Sequence, residues 1–270
     1  MSDPVPLQFH RVTVRFDENV AVDNVTWELR EGQTCIIQGA AGSGKTVLLK
    51  TALGLILPDQ GAVTLFGKDT RSVDDQELAE LRSRLGILFQ EGGLFDSLTI
   101  AENVAYPLLN QKSLRCPIEE GERRVVEALE FVELGHTLDK VPSELSGGMR
   151  RRVGIARAIV TRPELILYDS PTAGLDPITA NRIMALIAKE RDTRRAATAL
   201  ATHRYQDGHL LANFRYNAAS GRLEPGGDRH TRFLVLQDGR IAFEGSQDEL
   251  EASRDPYVSK FAKHLRDKAG

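Results

Sequence analysis

With only two cysteines in 270 residues, Cys35 and Cys116, the sequence offers no disulfide framework and fits a reducing compartment. Basic residues are not in excess: the net charge is −3, so an electrostatic footprint for nucleic acid is missing. No apolar run is long enough to span a bilayer, and residues 1–10 lack the apolar centre of a signal peptide. A membrane role is therefore expected to come through a partner. Internal repeats, low-complexity tracts and coiled-coil heptads are lacking too. What remains is the composition of a soluble globular protein, 41% hydrophobic against 27% charged, at a length that suits one large domain or two small ones.

Against that plain background one stretch stands out. Gly39, Ala40, Ala41, Gly42, Ser43, Gly44, Lys45 and Thr46 fit G-x-x-x-x-G-K-[ST], a phosphate-binding loop. Main-chain N–H groups must come close to a polyphosphate, and the three glycines permit it. Lys45 is placed to reach the β- and γ-phosphates, and the Thr46 hydroxyl to reach Mg²⁺. The apolar strand 34–38 precedes the loop. A helix over 47–53, ending at Gly54, follows and points its N-terminus at the anion.

The rest of the chain predicts further elements. Residues 7–15 and 25–29 alternate as strands of a small antiparallel sheet. Phe16 lies between them, either to stack on adenine or as a core aromatic. A strand is expected over 61–67, a polar helix over 73–84 and a buried strand over 85–89, with Gln90 at its end. From 91 to 144 the pattern turns helical, over 99–106 and over 118–133, where Ile118, Val125, Val126, Leu129 and Val132 can share a face. Ser146 is a good N-cap for a helix stopped by Pro163. Gly147 and Gly148 after it weaken a helix but let backbone approach phosphate. Arg150, Arg151, Arg152 and Arg157 read most simply as a solvated face. Residues 165–169 form a buried strand ending in Asp169, a carboxylate able to face Thr46 across Mg²⁺. A loop through Asp176 leads to a helix over 178–191. A strand over 196–201 then ends at His203, on the same sheet edge as Gln90 and Asp169. Residues 204–231 read as a helix and a loose excursion, either a docking site for a regulator or, preferably, a tolerated insertion. A hairpin over 233–243 and helices over 246–252 and 257–265 close the chain. Cys35 reads as inert core; Cys116 has no assigned role.

In order and rough spacing, the loop 39–46, Gln90, the Leu-Ser-Gly-Gly-Met run ending at Met149, the strand to Asp169, the loop to Asp176 and His203 resemble the ATP-binding subunits of ABC transporters. That resemblance implies an α/β fold: a P-loop NTPase core with a mostly parallel central sheet, an N-terminal antiparallel β subdomain and a helical insertion. It divides the chain into 1–90 (β subdomain and phosphate-loop part of the core), 91–145 (helical), 146–245 (the rest of the core, with the insertion at 204–231) and 246–270 (helical tail). It implies ATP and Mg²⁺ as ligands. Phe16 would stack adenine, and the loop from Gly39 through Val47 would bind phosphate. Thr46, Gln90 and Asp169 would serve the metal, and His203 the γ-phosphate. Ser146, Gly147, Gly148 and Met149 would meet the ATP of a partner subunit, with Asp176 at the interface. Residues 91–108 and the tail around 255–258 are similar to ATPases of MCE/Mla-type lipid transport systems. Implied partners are a second ATP-binding subunit, as a homodimer, an integral membrane permease and an MCE-domain lipid-binding protein, with the chain peripheral on the inner face of the cell membrane.

One position departs from the family pattern. The residue after the strand aspartate is normally glutamate, which polarises the attacking water; here it is Ser170. A serine is a very poor base near neutral pH, and losing a general base costs roughly 10²–10⁴ in rate. Glu91 is a nearby candidate to substitute. The leading reading is a transport ATPase. An ATP-binding switch that hardly hydrolyses competes with it through Ser170, and a soluble ABC protein acting on DNA or ribosomes is disfavoured.

Overall fold

A computed structural model of the chain describes residues 5–90, 92–110 and 116–262. Glu91 therefore lies outside the described residues. One sheet is antiparallel, built from β1 (Leu7–Phe16), β2 (Asn19–Leu29), β4 (Gln60–Leu65) and β5 (Lys68–Asp69) in the order β2-β1-β4-β5. The other contains β3 (Thr34–Gln38), β6 (Leu85–Leu88), β7 (Leu165–Asp169), β8 (Ala197–Thr202), β11 (Thr231–Gln237) and β12 (Arg240–Gly245). Its order is β12-β11-β3-β8-β7-β6, and all its pairings are parallel except β11 with β12. That pair turns through Asp238 and Gly239, both at positive φ, as a two-residue hairpin requires.

The strands of the parallel sheet are apolar on both faces because both are covered. Alternation along β3 sorts the core. Cys35 and Ile37 join the antiparallel sheet and α1 (Lys45–Ala52), while Ile36 joins a second cluster. That second cluster takes in α5 (Gly147–Ile159), α6 (Pro177–Arg194) and α7 (Tyr205–Asn213), and continues into α3 (Ile100–Asn110) and α4 (Ile118–Phe131). Two further helices, α2 (Asp75–Ser83) and α8 (Gln247–Ala252), complete the α-helices among the described residues. The fold is the expected α/β arrangement.

Several local expectations need correction. Residues 204–231 are not loose: after α7 the chain pairs β9 (Phe214–Asn217) with β10 (Arg222–Pro225) in an antiparallel hairpin. Charge fastens it to α6. Arg215 donates to Asp192 at 2.6 Å and to Asp228 at 3.0 Å, and the Tyr216 amide donates to Asp192 at 2.7 Å. Of the four arginines expected as a solvated face of α5, Arg150 is exposed, but Arg151 is buried, Arg152 donates to the Val132 carbonyl, and Arg157 donates to the carbonyls of Gly92 and Gly93. On α4 the buried stripe is narrower than expected: Val125 and Leu129 are buried, but Ile118 is 81% exposed. Of the helix expected over 257–265, a 3-10 turn at Val258–Phe261 is present, and 263–265 lie outside the described residues.

Candidate functional site

Parallel pairing of β3, β8, β7 and β6 brings their carboxyl ends to one edge. In register, Gln38 lies beside Thr202, and Ala201 beside Asp169. The loops leaving these strands line a cleft of about 360 Å³ with Gly42, Lys45, Thr46, Val47, Gln90, Ser170 and His203. The edge thus gathers the phosphate loop with Gln90, Asp169 and His203, as the sequence predicts.

Two glycines of the loop are sterically required. A Cβ on Gly44, where φ is +99°, would meet the Ala21 carbonyl at 2.3 Å. One on Gly39 would meet the Leu236 carbonyl at 2.5 Å. Gly42 has open space around it and serves conformation alone, at φ +79°. Lys45 folds onto its own loop, donating to Gly39 O at 2.9 Å, Ala40 O at 2.7 Å and Ser43 Oγ at 3.2 Å. Burial pulls its pKa down, while Asp169 opposes that shift.

Asp169 is 4% exposed, and its Oδ1 accepts from Thr46 Oγ1 at 3.2 Å. A hydroxyl and a carboxylate at that distance are hard oxygen donors of the kind Mg²⁺ takes. Ser170 sits beside them, its Oγ 3.4 Å from the same Asp169 oxygen. Its backbone is left-handed, φ 49°, and its amide donates to Ala201 O at 2.9 Å. Gln90 and His203 are exposed at the cleft wall. Phe16 is 46% exposed at the end of β1, so it is not a core aromatic, and it does not line the cleft.

Ser146, Gly147, Gly148 and Met149 lie apart from the cleft lining. Ser146 caps α5, its Oγ accepting from the Met149 amide at 3.3 Å. Asp176 caps α6, accepting from the amides of Ile178 and Thr179 at 3.0 Å each. Its pKa is lowered, first by the Thr179 hydroxyl and then by these amides. The two caps adjoin: a Cβ on Gly148 would come within 2.5 Å of Thr179 Cγ2. Together they form one surface that carries the exposed Ile178.

Three side chains at the site escaped sequence reasoning. Arg151 donates to the carbonyls of Phe89, Gln90 and Ala173, tying the Gln90 segment to the loop after Asp169. Buried Asp207 accepts from Thr172 at 2.6 Å and Thr202 at 2.7 Å, tying that loop to the segment bearing His203. Burial raises the Asp207 pKa against those two hydroxyls. Tyr257, far away in sequence, accepts from the Ala40 amide at 3.1 Å. The tail's Asp-Pro-Tyr-Val run carries no signal that points to the loop.

The family model of ABC transporters matches residues 22–173. The chain is similar to the intermembrane phospholipid transport system ATP-binding protein MlaF of Haemophilus influenzae, 32% identical over 95% of this chain and 90% of that protein. It is also similar to the methionine import ATP-binding protein MetN of Bifidobacterium longum, 35% identical over 88% of this chain but only 60% of that protein. Among solved structures, a dimeric ATP-binding cassette in a post-hydrolysis state with ADP and Pi matches with a TM-score of 0.73 at 31% identity. That match covers 89% of this chain and 98% of the other. The cbiO1 protein of Clostridium perfringens, part of the ABC transporter complex cbiONQ, matches with a TM-score of 0.77 at 25% identity, covering 93% and 92%.

Proposed function

This chain belongs to the ABC transporter family of ATP-hydrolysing subunits, and from that premise we propose that it powers the movement of phospholipid between membranes. The observation that carries the proposal is the similarity to MlaF along nearly the whole of both chains. The sequence of residues 91–108, similar to lipid-transport ATPases, supports it. In this reading the chain works as a homodimer on the inner face of the cell membrane, held there by a permease that cooperates with an MCE-domain protein. No helix among the described residues is long and apolar enough to cross a membrane.

ATP would lie in the cleft, its phosphates on the loop amides and Lys45, its adenine on the exposed face of Phe16. Thr46 and Asp169, assisted by Gln90, would hold Mg²⁺, which when bound neutralises polyphosphate charge. His203 would donate to the γ-phosphate from the far wall. A partner subunit would close each site with Ser146, Gly147, Gly148 and Met149, and Asp176 would sit at the seam. Ser170 can orient a water through its hydroxyl but cannot take its proton. That specific residue favours a second reading, an ATP-binding switch that assembles a transport complex and turns over slowly.

ATP turnover by the complex with its membrane partner separates the readings. If Ser170→Glu raises turnover by about 10²–10⁴ while the native rate stays near that of Lys45→Ala, the switch reading stands. If the native rate far exceeds Lys45→Ala and Ser170→Glu adds little, another group activates the water and the transport reading stands. Absence of phospholipid transfer by a complex that does turn over ATP would sink the lipid assignment.

A further inference from the structure

The Gly39–Ala40 peptide group is gripped from both sides. Its carbonyl, Gly39 O, accepts from Lys45 Nζ at 2.9 Å, and its N–H donates to Tyr257 Oη at 3.1 Å. The Tyr257 hydroxyl in turn donates to Leu236 O at 2.9 Å, on the strand next to β3. A trans peptide is planar, with N–H and C=O pointing in opposite directions. Fixing the N–H therefore fixes where the carbonyl that holds Lys45 points. Gly39 gives this plane more rotational freedom than any other residue would, so an external grip is needed to define it.

The grip comes from a docked segment. Asp255 Oδ1 accepts from the amides of Tyr257 and Val258 at 2.8 and 3.0 Å, shaping the turn. Val258 is buried, 1% exposed, and Phe261 packs edge-on against the Tyr257 ring at 5.3 Å. The hydroxyl is thus held by packing that does not involve the phosphate loop.

We propose that Tyr257 is a positioning residue of the phosphate loop, through which docking of the 255–262 segment and nucleotide binding strengthen each other. A tail held in place orients the Gly39–Ala40 plane and presents Lys45. Binding couplings are reciprocal, so nucleotide on the loop must tighten the tail by the same factor. A partner that draws this segment off the core would release nucleotide without touching the cleft. The inference rests on nucleotide binding at the loop, and not on the identity of the cargo.

The test uses the full chain, MgATP, and the variant Tyr257→Phe, which keeps the ring and its contact with Phe261. Affinity is read by titration, and backbone amide exchange is followed across 255–262 with and without MgATP. Expected is a five- to tenfold weaker affinity, roughly the factor of one lost hydrogen bond. MgATP should slow tail exchange in the native chain and leave it unchanged in the variant. Unchanged affinity in Tyr257→Phe, with or without a lower melting temperature, overturns the proposal, as does tail exchange indifferent to MgATP in the native chain. If the native chain binds MgATP no better than Lys45→Ala, it is the nucleotide reading of the loop that fails.

Discussion

Glu190 offers a test of how burial governs this core. It lies on α6, is 1% exposed, and neither carboxyl oxygen has a hydrogen-bond partner among the described residues. Burial pushes its pKa from 4.5 up to about 7, against the pull of Arg194. Between those two values the folded chain keeps a proton that the unfolded chain has released. Stability therefore falls as pH rises through this window, by about 1.4 kcal/mol per unit and roughly 3 kcal/mol in all. It is greatest below the unfolded value and flat again above the folded one. Glu190→Gln replaces the neutral acid with a neutral amide and abolishes the titration. Any fixed cost of burying the amide is the same at every pH, so the comparison is one of slopes. Urea unfolding of both proteins from about pH 5 to pH 8 should show the native chain losing some 2–3 kcal/mol relative to the variant. Parallel profiles would refute the reasoning, because they would mean that water or a counter-ion stabilises the charged form.

Two further perturbations follow from contacts described above. Gly148→Ala places a Cβ against Thr179 Cγ2; it should cost about 1–3 kcal/mol of local strain and suppress ATP turnover while leaving MgATP binding by single chains unchanged. Turnover measured against chain concentration, beside a binding titration, checks this. Arg215→Ala removes a partner from Asp192 and from Asp228, whose side chain is 3% exposed. Since Arg215 is itself 43% exposed, the loss should be about 2 kcal/mol, between the exposed and buried limits, seen as a lower urea midpoint.

The parts of the site legible in the sequence are those whose chemistry is local. A phosphate loop needs small residues, a lysine and a hydroxyl at fixed spacing, and a parallel strand ending in aspartate announces where its carboxylate will sit. The Ser146 cap was readable for the same reason, accepting the amide three residues on; Asp176 read only as a loop residue, and its capping of α6 through the Ile178 and Thr179 amides was not. What stayed hidden depends on reach. Arg151 looks like one of several surface arginines, yet its guanidinium crosses to carbonyls of a strand end more than sixty positions earlier in the chain. The β9–β10 hairpin gave no signal because its strands are short and half exposed, and its anchors, Asp192 and Asp228, lie outside them. Tyr257 meets Ala40 only because β11 lies next to β3.

The strand order has a consequence for where this fold can grow. Because β3 stands between β8 and β11, the chain must pass over β3 to travel from one to the other. That bridge exists whatever else is built on it. The β9–β10 hairpin occupies the return half of the bridge and adds no strand to the six-stranded sheet. Loop-closure entropy grows only with the logarithm of length, so lengthening an unavoidable crossing is thermodynamically mild. This crossover is thus a place where new surface can be added, here beside Glu31, Gly32 and Arg195 before the starts of β3 and β8, without rewiring the sheet.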